Sequence, residues 1–158
     1  NVVLGGGMSS RLFTEIRENR GLAYDIHSYV EHFVAGGTFA VYAGVDPSKV
    51  EECIGAVVQQ LRLLKSGVGA AELTRAKELT KGRLELRMED TQNTALWCAG
   101  QQLLNREILT VDDVAKRIDA VTEDDLVAVA EEYLVAEHLS VAVVGPVAGE
   151  IDANALNL

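Results

Sequence analysis

The chain has 158 residues, is 48% hydrophobic and carries a net charge of -10, with a pI of about 4.7. That length suffices for one substantial core, and the acidic balance leaves no basic footprint for neutralising phosphates, so nucleic acid is excluded as the main partner. No charged leader precedes an apolar stretch and no apolar run approaches the ~20 residues that span a bilayer, so a soluble, cytoplasmic segment without a membrane partner is expected.

Asn1 to Leu4 reads as the last turn of a helix, followed at once by Gly5-Gly6-Gly7. Ser9 or Ser10 can cap a new helix whose apolar stripe is Leu12, Phe13 and Ile16, and Gly21 can end it after Arg20 because a residue just past a helix often needs positive φ. Arg11 and Glu15, four apart on that helix, are expected to form a surface ion pair.

From Ala23 to Phe33 the pattern alternates, which predicts a strand. Ile26, Ser28 and Val30 share one face with Tyr24, and Asp25, His27, Tyr29 and Glu31 share the other. Ala35-Gly36-Gly37 supplies a turn, and Thr38 to Val45 returns as a second strand with Phe39, Val41, Ala43 and Val45 on one face. The pair predicts an antiparallel hairpin.

Asp46-Pro47 opens the next helix with a capping side chain and a proline where its missing N–H costs least. Val50 to Leu64 then repeat at helical spacing until Ser66-Gly67. Two long helices are expected over Ala70 to Glu89 and Thr91 to Arg106, the second with Leu96, Ala99, Leu103 and Leu104 on its inner side. Two shorter ones follow, Val111 to Asp119 and a helix opened by Thr122 with Asp125 three residues on. Cys53 and Cys98 fall inside helices, where free cysteine behaves as a small hydrophobe, so no disulfide is expected. His138 to Val144 alternates and predicts a third strand, closed by Gly145-Pro146.

These elements predict an α+β fold with a small, mostly antiparallel sheet and helices packed on one face. The domain is expected over 1–147, with 148–158 a tail, and the sheet is one strand short, that strand being expected before Asn1.

His27 and His32, with Glu31 between them, resemble a zinc motif at a glance. A zinc-peptidase helix needs histidines four apart, whereas an odd separation in a strand sends them to opposite faces, so no metal site is expected here. No C-x-x-C pair and no G-x-S-x-G elbow offers another catalytic centre. The triple glycine reads as a link between two helices, with an anion-holding turn as its rival.

The run from Leu4 through Arg17 to Tyr24, continuing to His27-Ser28 and Tyr42-Ala43-Gly44, closely resembles the second domain of bacterial pitrilysin/insulinase-type zinc metallopeptidases, relatives of the mitochondrial processing peptidases. Glu72 to Lys77, Lys81-Gly82, Met88 to Thr91, Val121 to Asp125 and Val143 to Pro146 fit as well. The resemblance implies a half-domain of the LuxS and processing-peptidase kind, the zinc-free member of a pair of domains in a chamber that admits peptides or unfolded segments. It implies that zinc comes from a partner domain of the same or another chain, in a homodimer or heterodimer, and that this domain is inactive alone. By the same resemblance Arg17 and Tyr24, seven residues apart, reach across the chamber as hydrogen-bond donors to the substrate, while Asp25, His27, Tyr29 and Tyr42 line its wall. A non-catalytic core subunit of a processing-peptidase-like complex is the rival reading.

Overall fold

The computed structural model describes residues 1–146; the expected tail, 148–158, lies outside them. Helix α1 (Val2–Gly5) leads into the glycine run, and after one α-helical turn the chain widens into a π-helical segment, Phe13–Asn19. Strands β1 (Ala23–Phe33) and β2 (Gly36–Val45) form one antiparallel hairpin. A short 3-10 turn, Pro47–Lys49, feeds α2 (Val50–Lys65), followed by α3 (Ala70–Met88), α4 (Thr91–Leu104), α5 (Val111–Ala120) and α6 (Glu123–Tyr133).

The local signals act where the sequence places them. Asp46 accepts from the Ser48 N–H at 2.9 Å, and Gly21 takes φ +58° at the helix exit. Thr110 with Asp113 and Thr122 with Asp125 form reciprocal capping boxes, which satisfy N–H groups that the first turns of α5 and α6 would otherwise leave orphaned.

Leu4, Leu12, Ile16, Leu22, Ala23, Ile26, Cys53, Ala56 and Leu61 make the core, with Val41, Ala43 and Val45 of β2 packed against it. The hairpin therefore gives one face to the helices and leaves Asp25, His27 and Tyr29 on the open side. This is the expected α+β arrangement with helices on one face of an antiparallel sheet.

The glycine run links α1 to the next helical stretch and is also a point of close approach. A Cβ on Gly5 would stand 2.5 Å from the backbone nitrogen of Ser28, so only glycine lets α1 lie this near β1. The N–H groups of Gly5 and Gly6 donate to Asn1 and Val2 carbonyls, and Arg83 donates to the Gly6 carbonyl. Two of the donors an anion would need are already spent.

Three expectations are corrected. Arg11 does not pair with Glu15: it reaches Glu72 with two hydrogen bonds of 2.8 Å and the Gly67 carbonyl with a third, while Glu15 pairs with Arg20. A half-buried guanidinium gains more from a forked carboxylate and a carbonyl together than from a solvated neighbour one turn away. Leu96, Ala99, Leu103 and Leu104 are exposed, and the inner side of α4 is formed by Trp97, Cys98 and Gln101. The Gln101 side chain donates to the Leu109 carbonyl and accepts from its N–H, which turns that face inward. Residues 139–144 form no strand: His138 ends a 3-10 turn, Ala136–His138, and among the described residues only β1 and β2 pair. β-branched alternation becomes a strand only where a partner edge is present.

Candidate functional site

The π-helical segment and the start of β1 bring Arg17 and Tyr24 together. Leu12 and Ile16 are fully buried on one side of the helix, which anchors it to the core. Phe13 and Arg17 lie on its half-buried flank, and the Arg17 guanidinium carbon sits 4.9 Å from the Phe13 ring centroid. The chain exits at Gly21, passes the buried Leu22 and Ala23, and presents Tyr24 with its ring centroid 5.7 Å from the same carbon.

Strict alternation would have sent Tyr24 inward with Ile26. The structure corrects this with a β-bulge: Ala23 pairs with Val45 and Asp25 with Gly44, so β1 advances two residues while β2 advances one. Tyr24 is the extra residue, and both it and Asp25 point outward before Ile26 returns to the core. Tyr24 is 87% exposed. A buried position would demand a partner for the phenol, whereas here the hydroxyl is open to whatever lies above the sheet.

Beyond the bulge the ladder is regular. His27 stands directly across from Tyr42, with ring centroids 5.2 Å apart, and Tyr29 is 6.0 Å from the His27 ring. The Asp25 carboxylate lies 3.6 Å from His27 Nδ1, beyond hydrogen-bond length. Asp25, His27, Tyr29 and Tyr42 thus share the open face. His32 pairs with Gly37 in the same unbroken ladder, five residues from His27, and so projects to the opposite face. Among the described residues no group of three or more His, Cys, Asp or Glu could hold a metal ion.

The electrostatics separate Arg17 from its neighbours. Arg11 and Arg20 donate to carboxylates at 2.8 and 2.7 Å. Arg17 has only Glu18 at 3.8 Å, too far for a hydrogen bond, and its side chain is 39% exposed. Among the described residues its N–H donors are unspent within the chain, as is the Tyr24 hydroxyl. A shallow open hollow adjoins Tyr24, lined also by Leu22, Ala23, Val45 and Lys49, with Lys49 donating to the Gly21 carbonyl at 3.0 Å.

Two features of this site were not read from the sequence. The bulge leaves no compositional mark in β1, although Gly44 opposite it is a signal that could have raised the possibility. Phe13 was read only as part of the apolar stripe; its spacing of four from Arg17 on one helix was the available signal.

Residues 1–80 match the family model described as the peptidase M16 inactive domain. Over 92% of its length the chain is 41% identical to a Streptomyces coelicolor protein named an uncharacterized zinc protease, covering 32% of that protein. Among solved structures, a peptidase M16 inactive domain from Pseudomonas fluorescens superposes with a TM-score of 0.72 at 24% identity, over 84% of this chain and 32% of that one. A chain of complex III2 from Candida albicans gives a TM-score of 0.71 at 19% identity, over 78% of this chain and 30% of that one. These two structural likenesses are of fold alone. The chain spans about a third of the length of each of these relatives.

Proposed function

The chain belongs to the peptidase M16 inactive-domain family, and from that premise we propose that it is the substrate-binding domain that completes the active site of a zinc-dependent endopeptidase. The observation that carries this reading is the pairing of Arg17 and Tyr24, two donor side chains brought together with their hydrogen-bonding capacity unspent among the described residues.

In this reading a guanidinium and a phenol donate to the scissile carbonyl or to its neighbours along the peptide backbone. Donors fixed where negative charge develops stabilise the transition state without reorganising, which is why removing one commonly costs about 2.7–4 kcal/mol. Asp25, His27, Tyr29 and Tyr42 form the wall along which the peptide lies, and the aromatic rings give it amphipathic contact surface. Zinc is supplied by a partner domain on the same chain or a separate subunit, in a homodimer or heterodimer, and the residues described above do not bind it. The peptides or unfolded segments reach these donors in a chamber closed by the two halves.

A second reading is a non-catalytic structural subunit of a larger complex: a chain of complex III2 shares the fold, and the fold by itself carries no catalysis. Peptide cleavage by the full-length, zinc-loaded protein with Arg17→Ala or Tyr24→Phe separates the two. Loss of cleavage with zinc content retained supports the enzyme; wild-type cleavage in both variants leaves the structural reading standing.

A further inference from the structure

Resting on the reading that Arg17 contacts substrate, we propose that Phe13 is a positioning residue for it, a ring that fixes the guanidinium without consuming any of its donors. Phe13 is the nearer of the two rings, at 4.9 Å against 5.7 Å for Tyr24. Both distances lie within the ~6 Å over which a cation is attracted to a ring face.

The chain contains its own contrast. Arg11 is fixed by a carboxylate, and its fork is occupied by Glu72 and the Gly67 carbonyl. Such an arginine is well held but has little left to offer a ligand. Arg17 instead lies over two ring faces, and this attraction of a cation to a ring takes up none of its N–H donors in hydrogen bonds. An arginine that must meet a peptide needs the second arrangement, because an unsupported side chain would lose several rotatable bonds on each encounter.

Phe13 is itself held. It is half-buried on a turn whose neighbours Leu12 and Ile16 are fully buried, so its backbone is fixed to the core. Tyr24 is 87% exposed and sits on a bulge, which makes it the less constrained of the two supports.

The experiment is a double-mutant cycle in the full-length, zinc-loaded protein, reading kcat/KM for peptide cleavage with Phe13→Leu, Phe13→Tyr and Arg17→Ala. Phe13→Leu is expected to lower kcat/KM by about 2- to 5-fold, the range of an exposed cation–ring contact. Phe13→Tyr keeps the ring and is expected to match wild type. In the Arg17→Ala background Phe13→Leu is expected to add nothing, because the group it positions is gone. The proposal is overturned if Phe13→Leu cleaves at the wild-type rate, or if it lowers the rate by the same factor with and without Arg17. Those results leave the role of Arg17 intact, whereas an Arg17→Ala protein with undiminished cleavage removes the substrate reading and this one together. Should Phe13→Leu fold poorly, Phe13→Met supplies the non-aromatic arm with a similar side-chain volume.

Discussion

Arg17 and Tyr24 come from different elements, yet the guanidinium carbon of one lies 5.7 Å from the ring centroid of the other. A π-helical segment carries the first and a β-bulge turns out the second. Both are local irregularities that disrupt regular hydrogen bonding and are found often at functional sites. Here the buried Leu12, Ile16, Leu22 and Ala23 tie these irregular stretches to the core.

The exposure of Tyr24 has a direct consequence for stability. Tyr24→Phe removes a hydroxyl that has no partner among the described residues, so the unfolding free energy is expected to stay within about 0.5 kcal/mol of wild type. Ile26→Ala, two residues on and buried in the core, is expected to cost about 2–5 kcal/mol. Urea midpoints for the two variants check this, and a large loss in Tyr24→Phe would show that the ring's orientation is misassigned.

Gly5 and Gly55 are expected to respond oppositely to alanine. At Gly5 the added methyl meets the Ser28 nitrogen and hydroxyl at 2.5 and 2.6 Å, and α1 must move away from β1, at about 1–3 kcal/mol. At Gly55, inside α2, nothing lies within 4 Å, and alanine should stabilise by about 0.5–1 kcal/mol by raising helix propensity and restricting the unfolded chain. Thermal midpoints moving in the same direction for both would contradict the packing described.

The Arg11 to Glu72 pair ties the helical stretch that carries Arg17 to α3 and carries a pH signature. Hydrogen bonds from Arg11 hold the Glu72 carboxyl below its ordinary value of 4.5. A depressed carboxylate pKa contributes stability that is complete above the ordinary value and is lost as pH falls through the lower, folded value. Arg11→Ala is therefore expected to cost about 1–2 kcal/mol at neutral pH and to flatten the loss of stability on acidification. Denaturation midpoints measured down to about pH 3 test it; an Arg11→Ala chain as acid-sensitive as wild type would sink the assignment.

Local signals were legible in the sequence because they act over three or four residues. Asp46-Pro47, the boxes at Thr110 and Thr122, and the exit at Gly21 set helix ends through hydrogen bonds or φ alone. The alternation of Ile26 and Ser28 against His27 and Tyr29 identified both faces of β1, and so the open face that holds four of the candidate residues. What was not legible depends on distant partners. Arg11 found Glu72 sixty-one residues away rather than Glu15. The Leu96 and Leu103 stripe looked inward because an apolar helix face records that something can cover it without recording where that something is. Tyr24 was misdirected because a bulge depends on how two strands register, and one strand's pattern does not contain it.

The most direct test of the central claim is kcat for peptide cleavage by the full-length, zinc-loaded protein carrying Arg17→Ala or Tyr24→Phe, with zinc content and unfolding midpoint measured on the same preparations. Loss of a transition-state donor is expected to lower kcat by about 100- to 1000-fold in each variant while zinc and stability stay at wild-type levels. Wild-type kcat in both variants would contradict the account and leave this domain a structural partner alone.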